Sequence, residues 1–331
     1  MSTPSDPVPA LARTLRTSWQ RFLDVYEPLR PDLYRYCRYL TRSPWDAEDL
    51  AQDTLARAFV TLGQIVEPPA SPRAWLFRVA SNLWIDRARR PREHAAQARD
   101  VPILDSDPRA AREAAGTLLG QLTPRERAAV VLKEVFDLSL EEIGETLGTT
   151  PNTIKSALHR GRGKLAEAET VPGAAPAPAL LDAFCAAFNA HDLDRVTALL
   201  LETASVEVVG ATREYGRQAA RARVLPGMMF GSRRLADPSA ECGVERQYRT
   251  GALPTPVRAE LRSFRGEPVL LSWYAHVDGE AVRGITRLSH DEERITHVAN
   301  YFYTPDLLAD VCRELEVPFR INGYAYWRGQ P

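Results

Sequence analysis

LTPRERAAVVLKEVFDLSLEEIGETLGTTPNTIKSALHRGRGKL, Leu122 to Leu165, is the stretch on which the reading of this chain turns. It reads as a four-helix DNA-reading module, of which the local signals delimit three helices. Thr123-Pro124-Arg125-Glu126 opens the first: a Thr cap, Pro at the first helical position and an acidic residue close behind. Val130, Val131, Leu132 and Val135 give it an apolar stripe, and Asp137 breaks it. Ser139 caps a second helix with Glu142 as capping-box partner, and Leu140, Ile143 and Leu147 share one face. Gly148 suits the position just past its end, and Thr150-Pro151 restarts the chain. In the third helix Ile154 and Leu158 face inward, while Asn152, Thr153, Lys155, Ser156, His159, Arg160, Arg162 and Lys164 face out. A short capped helix, a glycine turn and a basic polar helix make a helix-turn-helix, whose last helix enters the major groove of DNA. An amphipathic hairpin with a merely solvated basic face does not account for all three features in this order.

The rest of the chain bounds that reading. Its 331 residues allow two or three domains. Hydrophobic residues make up 44%, enough for folded cores, and the formal net charge is −1. Nucleic-acid binding must therefore come from local patches rather than from the charge of the whole molecule. Cys37, Cys185, Cys242 and Cys312 are scattered without metal-ligand spacing and fit the reduced thiols of a cytoplasmic protein. No apolar run reaches the roughly 18 residues of a membrane span, and the N-terminus has no export pattern. The pattern calls for no cofactor and no metal.

Two stretches read as linkers. Pro, Asp and Arg dominate from about Pro91 to Arg112, and VPGAAPAPA from Val171 to Ala179 favours extended chain. The expected division is 15–91, a linker 92–112, 113–169, a Pro/Ala linker 170–179, and 180–331. In the first block Ser43-Pro44 starts a helix whose inner face is Leu50, Thr54, Leu55, Ala58 and Phe59. Its other face carries Asp46, Glu48, Asp49, Gln52, Asp53 and Arg57. Ser71-Pro72 starts another helix, with Trp75, Leu76, Val79, Leu83 and Ile85 as core. Arg73, Arg78, Asn82, Trp84, Arg87, Arg89 and Arg90 form its basic, aromatic-bearing surface. Rings that stack on bases, interleaved with guanidinium groups that hold phosphates, suit single-stranded DNA.

An acidic-faced helix, a basic aromatic helix, a linker and a helix-turn-helix, in that order, resemble a bacterial extracytoplasmic-function (group IV) RNA polymerase sigma factor. The resemblance covers residues 15–168. It implies an all-α region two and a helix-turn-helix region four. By this resemblance DAEDLAQDTLARAF docks on core RNA polymerase through Asp46, Glu48, Asp49, Gln52 and Asp53. PRAWLFRVASNLWIDRARR captures the melted minus-10 element through Arg78, Asn82, Trp84, Arg87, Arg89 and Arg90. The third helix of the opening stretch reads the duplex minus-35 element through Asn152, Thr153, Lys155, Ser156, His159, Arg160, Arg162 and Lys164. Ala51 and Asp53 depart mildly from the family pattern, which often has an apolar residue and Glu there. Sigma factors are not enzymes, and the partners implied are core polymerase and promoter DNA.

The last block changes character. Leu180, Leu181, Phe184, Ala187 and Phe188 make a helical stripe, DLDRVTALLL a second helix, and Ser205 to Val209 alternates like a strand. Arg258–Arg265, Val269–Val277, Ala281–Leu288 and Arg294–Tyr303 follow as strands, with turns at Asp278-Gly279 and His290 to Glu293. The pattern predicts a curved antiparallel α+β sheet. FNAHDLDRVTALL before a strand resembles SnoaL-like domains of the NTF2-like superfamily, which are cones with a pocket. Candidate pocket residues are Trp273, Tyr274, His276, Arg287, His297, Asn300 and Tyr301. They fit acid–base chemistry, small-molecule sensing, or ordinary packing in a domain that contacts the sigma regions intramolecularly. The helix DLLADVCRELEVPF and the aromatic tail Arg320 to Trp327 end the block, the tail covering the sheet or docking elsewhere. Two rivals remain: a helix-turn-helix transcriptional activator, and a pocket enzyme or ligand sensor carrying a DNA-binding arm.

Overall fold

The computed structural model describes residues 7–97, 122–163, 179–231, 254–291 and 293–324. Lys164, Cys242, residues 171–178 of the VPGAAPAPA stretch and the tail aromatics Tyr326 and Trp327 lie outside them. The chain forms two compact units, Phe22–Val171 and Pro172–Pro331 together with Met1–Arg21. The division falls within the first helix, α1 (Pro7–Tyr26).

A short 3-10 turn, Glu27–Leu29, leads from α1 into α2 (Arg30–Thr41), and α3 (Pro44–Leu62) follows. Ser43 caps α3, its Oγ accepting from the Asp46 N–H at 3.3 Å, with Pro44 at the first helical position. Leu33, Tyr36, Cys37, Leu40, Leu50, Ala51, Leu55 and Ala58 close the core between these two helices. Removing each large apolar side chain from water contributes about 1.5–3 kcal/mol.

The helix α4 (Pro72–Gln97) runs six residues beyond Pro91, into the stretch read as a linker. The residues after Pro91, REHAAQ, are mostly good helix formers, and they outweigh the breaking tendency of one proline. Its buried face also differs from expectation. Leu76, Phe77, Ala80 and Ser81 are the buried residues, while Trp75, Val79, Leu83 and Ile85 are half-buried.

Residues 122–163 hold three helices rather than four: α5 (Pro124–Glu134), α6 (Leu140–Leu147) and α7 (Pro151–Gly163). The expected capping box of Ser139 with Glu142 forms, and the expected Thr123 cap proves to be a second box, with Glu126. Gly148 ends α6 in the left-handed region at φ 60°, where a side chain would strain the backbone.

In the second unit α8 (Ala179–Asn189) and α9 (Leu193–Ala198) precede the strands β1 (Leu200–Val208) and β2 (Thr212–Tyr215). A third helix, α10 (Arg217–Phe230), was not expected. Gly216, Pro226 and Gly227 read as breakers, yet its face Ala220, Val224, Leu225, Met228 and Met229 is buried. Then come β3 (Arg258–Phe264), β4 (Glu267–His276), β5 (Gly279–His290), β6 (Ile295–Tyr301) and α11 (Pro305–Glu314).

The strand order is β2-β1-β6-β5-β4-β3. The sheet is mixed rather than wholly antiparallel, because β1 and β6 run parallel, with Ser205 opposite His297 and Val208 opposite Asn300. One face, through Val206, Ala259, Leu270 and Val298, packs on α8, α9 and α10. At the β3 edge the Asn189 side chain mimics a strand partner. Its Oδ1 accepts from the Ala259 N–H at 2.6 Å and its Nδ2 donates to the Ala259 carbonyl at 2.9 Å.

The chain leading into the tail extends the sheet. Where β6 stops short of Val282, residues 318–320 lie alongside β5. Val282 N–H donates to the Pro318 carbonyl (2.8 Å), and Arg320 N–H donates to the Val282 carbonyl (2.9 Å).

Candidate nucleic-acid interface and sheet-domain site

Helix α7 buries Ile154, Ala157 and Leu158 and exposes Asn152, Thr153, Lys155, Ser156 and His159. The burial of three apolar residues fixes which face points outward, so five of the eight predicted minus-35 residues share the free face. The side chains of Arg160 and Arg162, like Lys164, lie outside what the structure describes. Thr150 Oγ1 accepts from the Thr153 N–H at 3.3 Å and locks the first turn. The outward face starts at a helix N-terminus, whose free N–H groups favour phosphate.

On α4, Arg78, Asn82 and Arg89 are exposed, and Trp84 and Arg87 are half-buried. The Arg90 side chain is not described. These groups are not idle. Arg87 pairs with Asp53 of α3, and Arg78 donates to the Glu145 carbonyl of α6 at 2.5 Å. The Arg127 guanidinium of α5 lies 5.6 Å from the Trp84 ring centre, and the buried Trp84 Nε1 has no hydrogen-bond partner among the described residues. Arg127 also donates to the Leu40 carbonyl at 2.6 Å.

The contact between α5–α7 and α2–α4 centres on Phe136, which the sequence reading passed over because it lies just beyond the α5 stripe. Its ring meets Phe77 edge-on at 4.8 Å and Tyr36 at 5.8 Å. The guanidinium groups of Arg35 (4.8 Å) and Arg73 (5.4 Å) lie over it. Beneath, Tyr36 and Ser81 share a buried 2.7 Å hydrogen bond, and burial pushes the Tyr36 phenol up. In this arrangement the basic face of α4 is partly covered by the helix-turn-helix half.

The acidic face of α3 is narrower than expected. Asp49 and Asp53 are exposed and Asp46 and Gln52 half-buried, but Glu48 is 1% exposed and ion-paired with the equally buried Arg30. Gln52 Nε2 also donates to Glu48, at 2.9 Å. Glu48 is therefore an interior residue here and not part of a docking face: two apolar-flanked charges satisfy each other where a free carboxylate could not stay buried.

The candidate pocket residues do not converge. Alternation puts Tyr274, His276 and Asn300 on the helix-covered face, and Trp273, Arg287, His297 and Tyr301 on the opposite one. Asn300 Nδ2 donates to Thr286 Oγ1 at 2.9 Å, both buried, and Tyr274 clusters with Phe302 and Tyr303. On the other face His297 bridges β1 and β6. Its Nδ1 is 2.7 Å from Ser205 Oγ and its Nε2 3.1 Å from Glu207 Oε1. Burial raises the Glu207 carboxyl, but hydrogen bonds from His297 and Arg213 outweigh it and hold it below the ordinary range. Cys37 and Cys312 are buried and Cys185 half-buried; burial pushes the Cys312 thiol up to about 12. Among the described residues no cluster could hold a metal ion, and no helix is long and apolar enough to cross a membrane.

A helix pair with a basic aromatic surface, joined to a capped helix-turn-helix, defines a two-part DNA-reading class of protein. Residues 25–93 match the family model of Sigma-70 region 2, and residues 112–165 that of Sigma-70, region 4. The chain is 30% identical over 233 residues to the ECF RNA polymerase sigma factor SigG of Mycobacterium tuberculosis, covering 58% of this chain and 63% of that protein. It is 34% identical over 149 residues to the RNA polymerase sigma-E factor of Streptomyces coelicolor, covering 44% and 84%. The solved structure of the Mycobacterium tuberculosis extracytoplasmic function sigma factor SigJ shares 21% identity over 87% of this chain and 98% of that one, with a TM-score of 0.31. The chain belongs to the extracytoplasmic-function RNA polymerase sigma factors. It spans just under two thirds of the length of SigG.

Proposed function

We propose that this chain is an alternative sigma factor that binds core RNA polymerase, recognises minus-35 and minus-10 elements and initiates transcription in the cytoplasm. The observation that carries this reading is the two-faced α7, apolar inward and uniformly polar or basic outward, in one unit with the basic aromatic α4. Asn152, Thr153 and Ser156 reach base edges at the front of α7, with Lys155 and His159 beside them. Lys155, Arg160, Arg162 and Lys164 hold phosphates and set register. Asp46, Asp49, Gln52 and Asp53 dock on the polymerase.

The work is differential binding, not catalysis. Extruding a base costs a few kcal/mol. Stacking it on Trp84, with Arg78, Asn82, Arg87, Arg89 and Arg90 on the strand, returns about 1–3 kcal/mol per base. The two are close, so promoter sequence decides whether melting proceeds. Because α5 and α6 hold Trp84 and Arg78, strand capture first requires these halves to part. The sheet unit regulates initiation. Run-off transcription with purified core polymerase tests the reading, comparing the full chain with a truncation at Val171. Transcripts from a cognate promoter in either form are expected; a folded protein that never binds core polymerase refutes it and favours a helix-turn-helix activator.

A further inference from the structure

Among the described residues Arg283 has no counter-ion. It occupies the irregularity in β5 where the register against β4 shifts, opposite Ser272 and Trp273. Its guanidinium lies 5.6 Å from the Tyr274 ring centre and 5.8 Å from that of Phe302. Its Nε donates to Asn322 Oδ1 at 2.7 Å. Asn322 is itself held, its Nδ2 donating to the carbonyls of Arg283 and Phe302, both at 2.7 Å. The fork is therefore aimed from behind by the tail, and its terminal nitrogens have no partner among the described residues.

Four other arginines of this sheet region are matched. Arg258 pairs with Glu260 and Glu280, Arg265 with Glu314, Arg287 with Glu267 and Arg320 with Asp278. Arg283 alone among these is half-buried with no carboxylate beside it, and burial pulls its pKa below the ordinary arginine value. A half-buried unpaired charge is costly, and a preset guanidinium fork matches a carboxylate in bidentate fashion. The surroundings favour an anion further. His276 is close enough for Arg283 and Arg320, after burial, to help lower its pKa, and its buried Nε2 has no partner among the described residues.

The groups beside the fork have a definite character. Tyr274, Phe302 and Tyr303 form an apolar cluster with Val208 and Ala211. Gly284 lies between that cluster and the polar pair Ser272 and Asn300: a Cβ there would sit 3.5 Å from Phe302 and 3.7 Å from each of the other two. We infer that Arg283 is the anion subsite of a ligand site in the sheet domain, and that the ligand is a small organic carboxylate with a flat apolar body. The carboxylate takes the Arg283 fork, and the body lies against Tyr274 and Phe302. This inference does not rest on the promoter-recognition reading.

The test is calorimetric titration of the full chain with benzoate, its neutral isostere benzamide, and acetate. Saturable benzoate binding is expected, with benzamide and acetate each at least tenfold weaker. Arg283→Gln should weaken benzoate at least tenfold, the usual worth of a hydrogen bond to a charged group. Arg283→Lys keeps the charge but loses the fork, and it decides the matter should the Gln variant not fold; several-fold weakening is expected. The inference is overturned by any of three results: no saturable benzoate binding up to roughly tens of millimolar, benzamide binding as well as benzoate, or unchanged affinity in a folded Arg283 variant.

Discussion

Replacing Phe136 by Ala should open the DNA-reading unit. Phe136 is 9% exposed and sits where the α5–α6 connection meets α2 and α4. Two aromatic pairs contribute about 1 kcal/mol each. Two guanidinium–ring interactions, from Arg35 and Arg73, contribute about 0.5 kcal/mol each at this degree of exposure. Together the four interactions of the ring are worth about 3 kcal/mol, so its removal shifts the balance between closed and open arrangements roughly 100-fold. Hydrogen bonds from Arg78 and Arg127 remain and oppose opening, so the shift should be partial. The assay is single-molecule energy transfer between dyes on exposed Arg57 of α3 and Glu141 of α6. The native chain should show a compact population, and the variant a new population at lower transfer efficiency. Affinity for a single-stranded minus-10 oligonucleotide should rise in step, because the competent fraction is larger. A folded variant with an unchanged efficiency distribution would refute the reasoning, since it would mean that Phe136 does not hold the two halves together.

Three further outcomes are expected. Glu48→Ala should destabilise the Phe22–Val171 unit by about 3–5 kcal/mol, because the buried Arg30 loses the carboxylate it is ion-paired with, whereas Asp49→Ala, at an exposed position, should cost much less in the same urea titration. Asn189→Ala should cost about 1–3 kcal/mol by leaving the Ala259 N–H unmet and its carbonyl with only the Cys185 thiol at 3.5 Å, and light scattering should show self-association through the uncovered β3 edge. The depressed Glu207 carboxyl contributes stability that is present above the ordinary carboxylate pKa and is lost as pH falls through its folded value. Thermal melts from pH 6 down to pH 3 should therefore fall less steeply in Arg213→Gln; equal slopes would show that Arg213 does not set the shift.

Local signals were legible and long-range ones were not. Caps at Thr123, Ser139 and Ser43 and the left-handed Gly148 could be read directly, because each is decided within four residues. The outward face of α7 was readable for the same reason: its inward residues recur at helical spacing. Glu48 was misplaced because its partner Arg30 is eighteen positions away and no helical pattern announces it. The parallel pairing of β1 with β6 was missed because nothing local distinguishes it from an antiparallel meander. Arg283 was overlooked because it lies outside the strict alternation, at the point where the register shifts. Phe136 followed a helix end and looked like loop, although it carries the contact between the two halves.

The pairing of β1 with β6 also sets an order of events during synthesis. The centre of the sheet cannot form until β6, about ninety residues after β1, has emerged. The helix-turn-helix is complete at Gly163, about 140 residues before Tyr301. At translation rates of about 5–20 residues per second, that interval lasts roughly 7–30 s. Each newly made molecule therefore passes through a period in which its DNA-reading half is finished and its sheet unit is not. If the sheet unit restrains DNA binding as proposed, that restraint is absent then, and young and mature molecules of the same sequence differ in what they can bind.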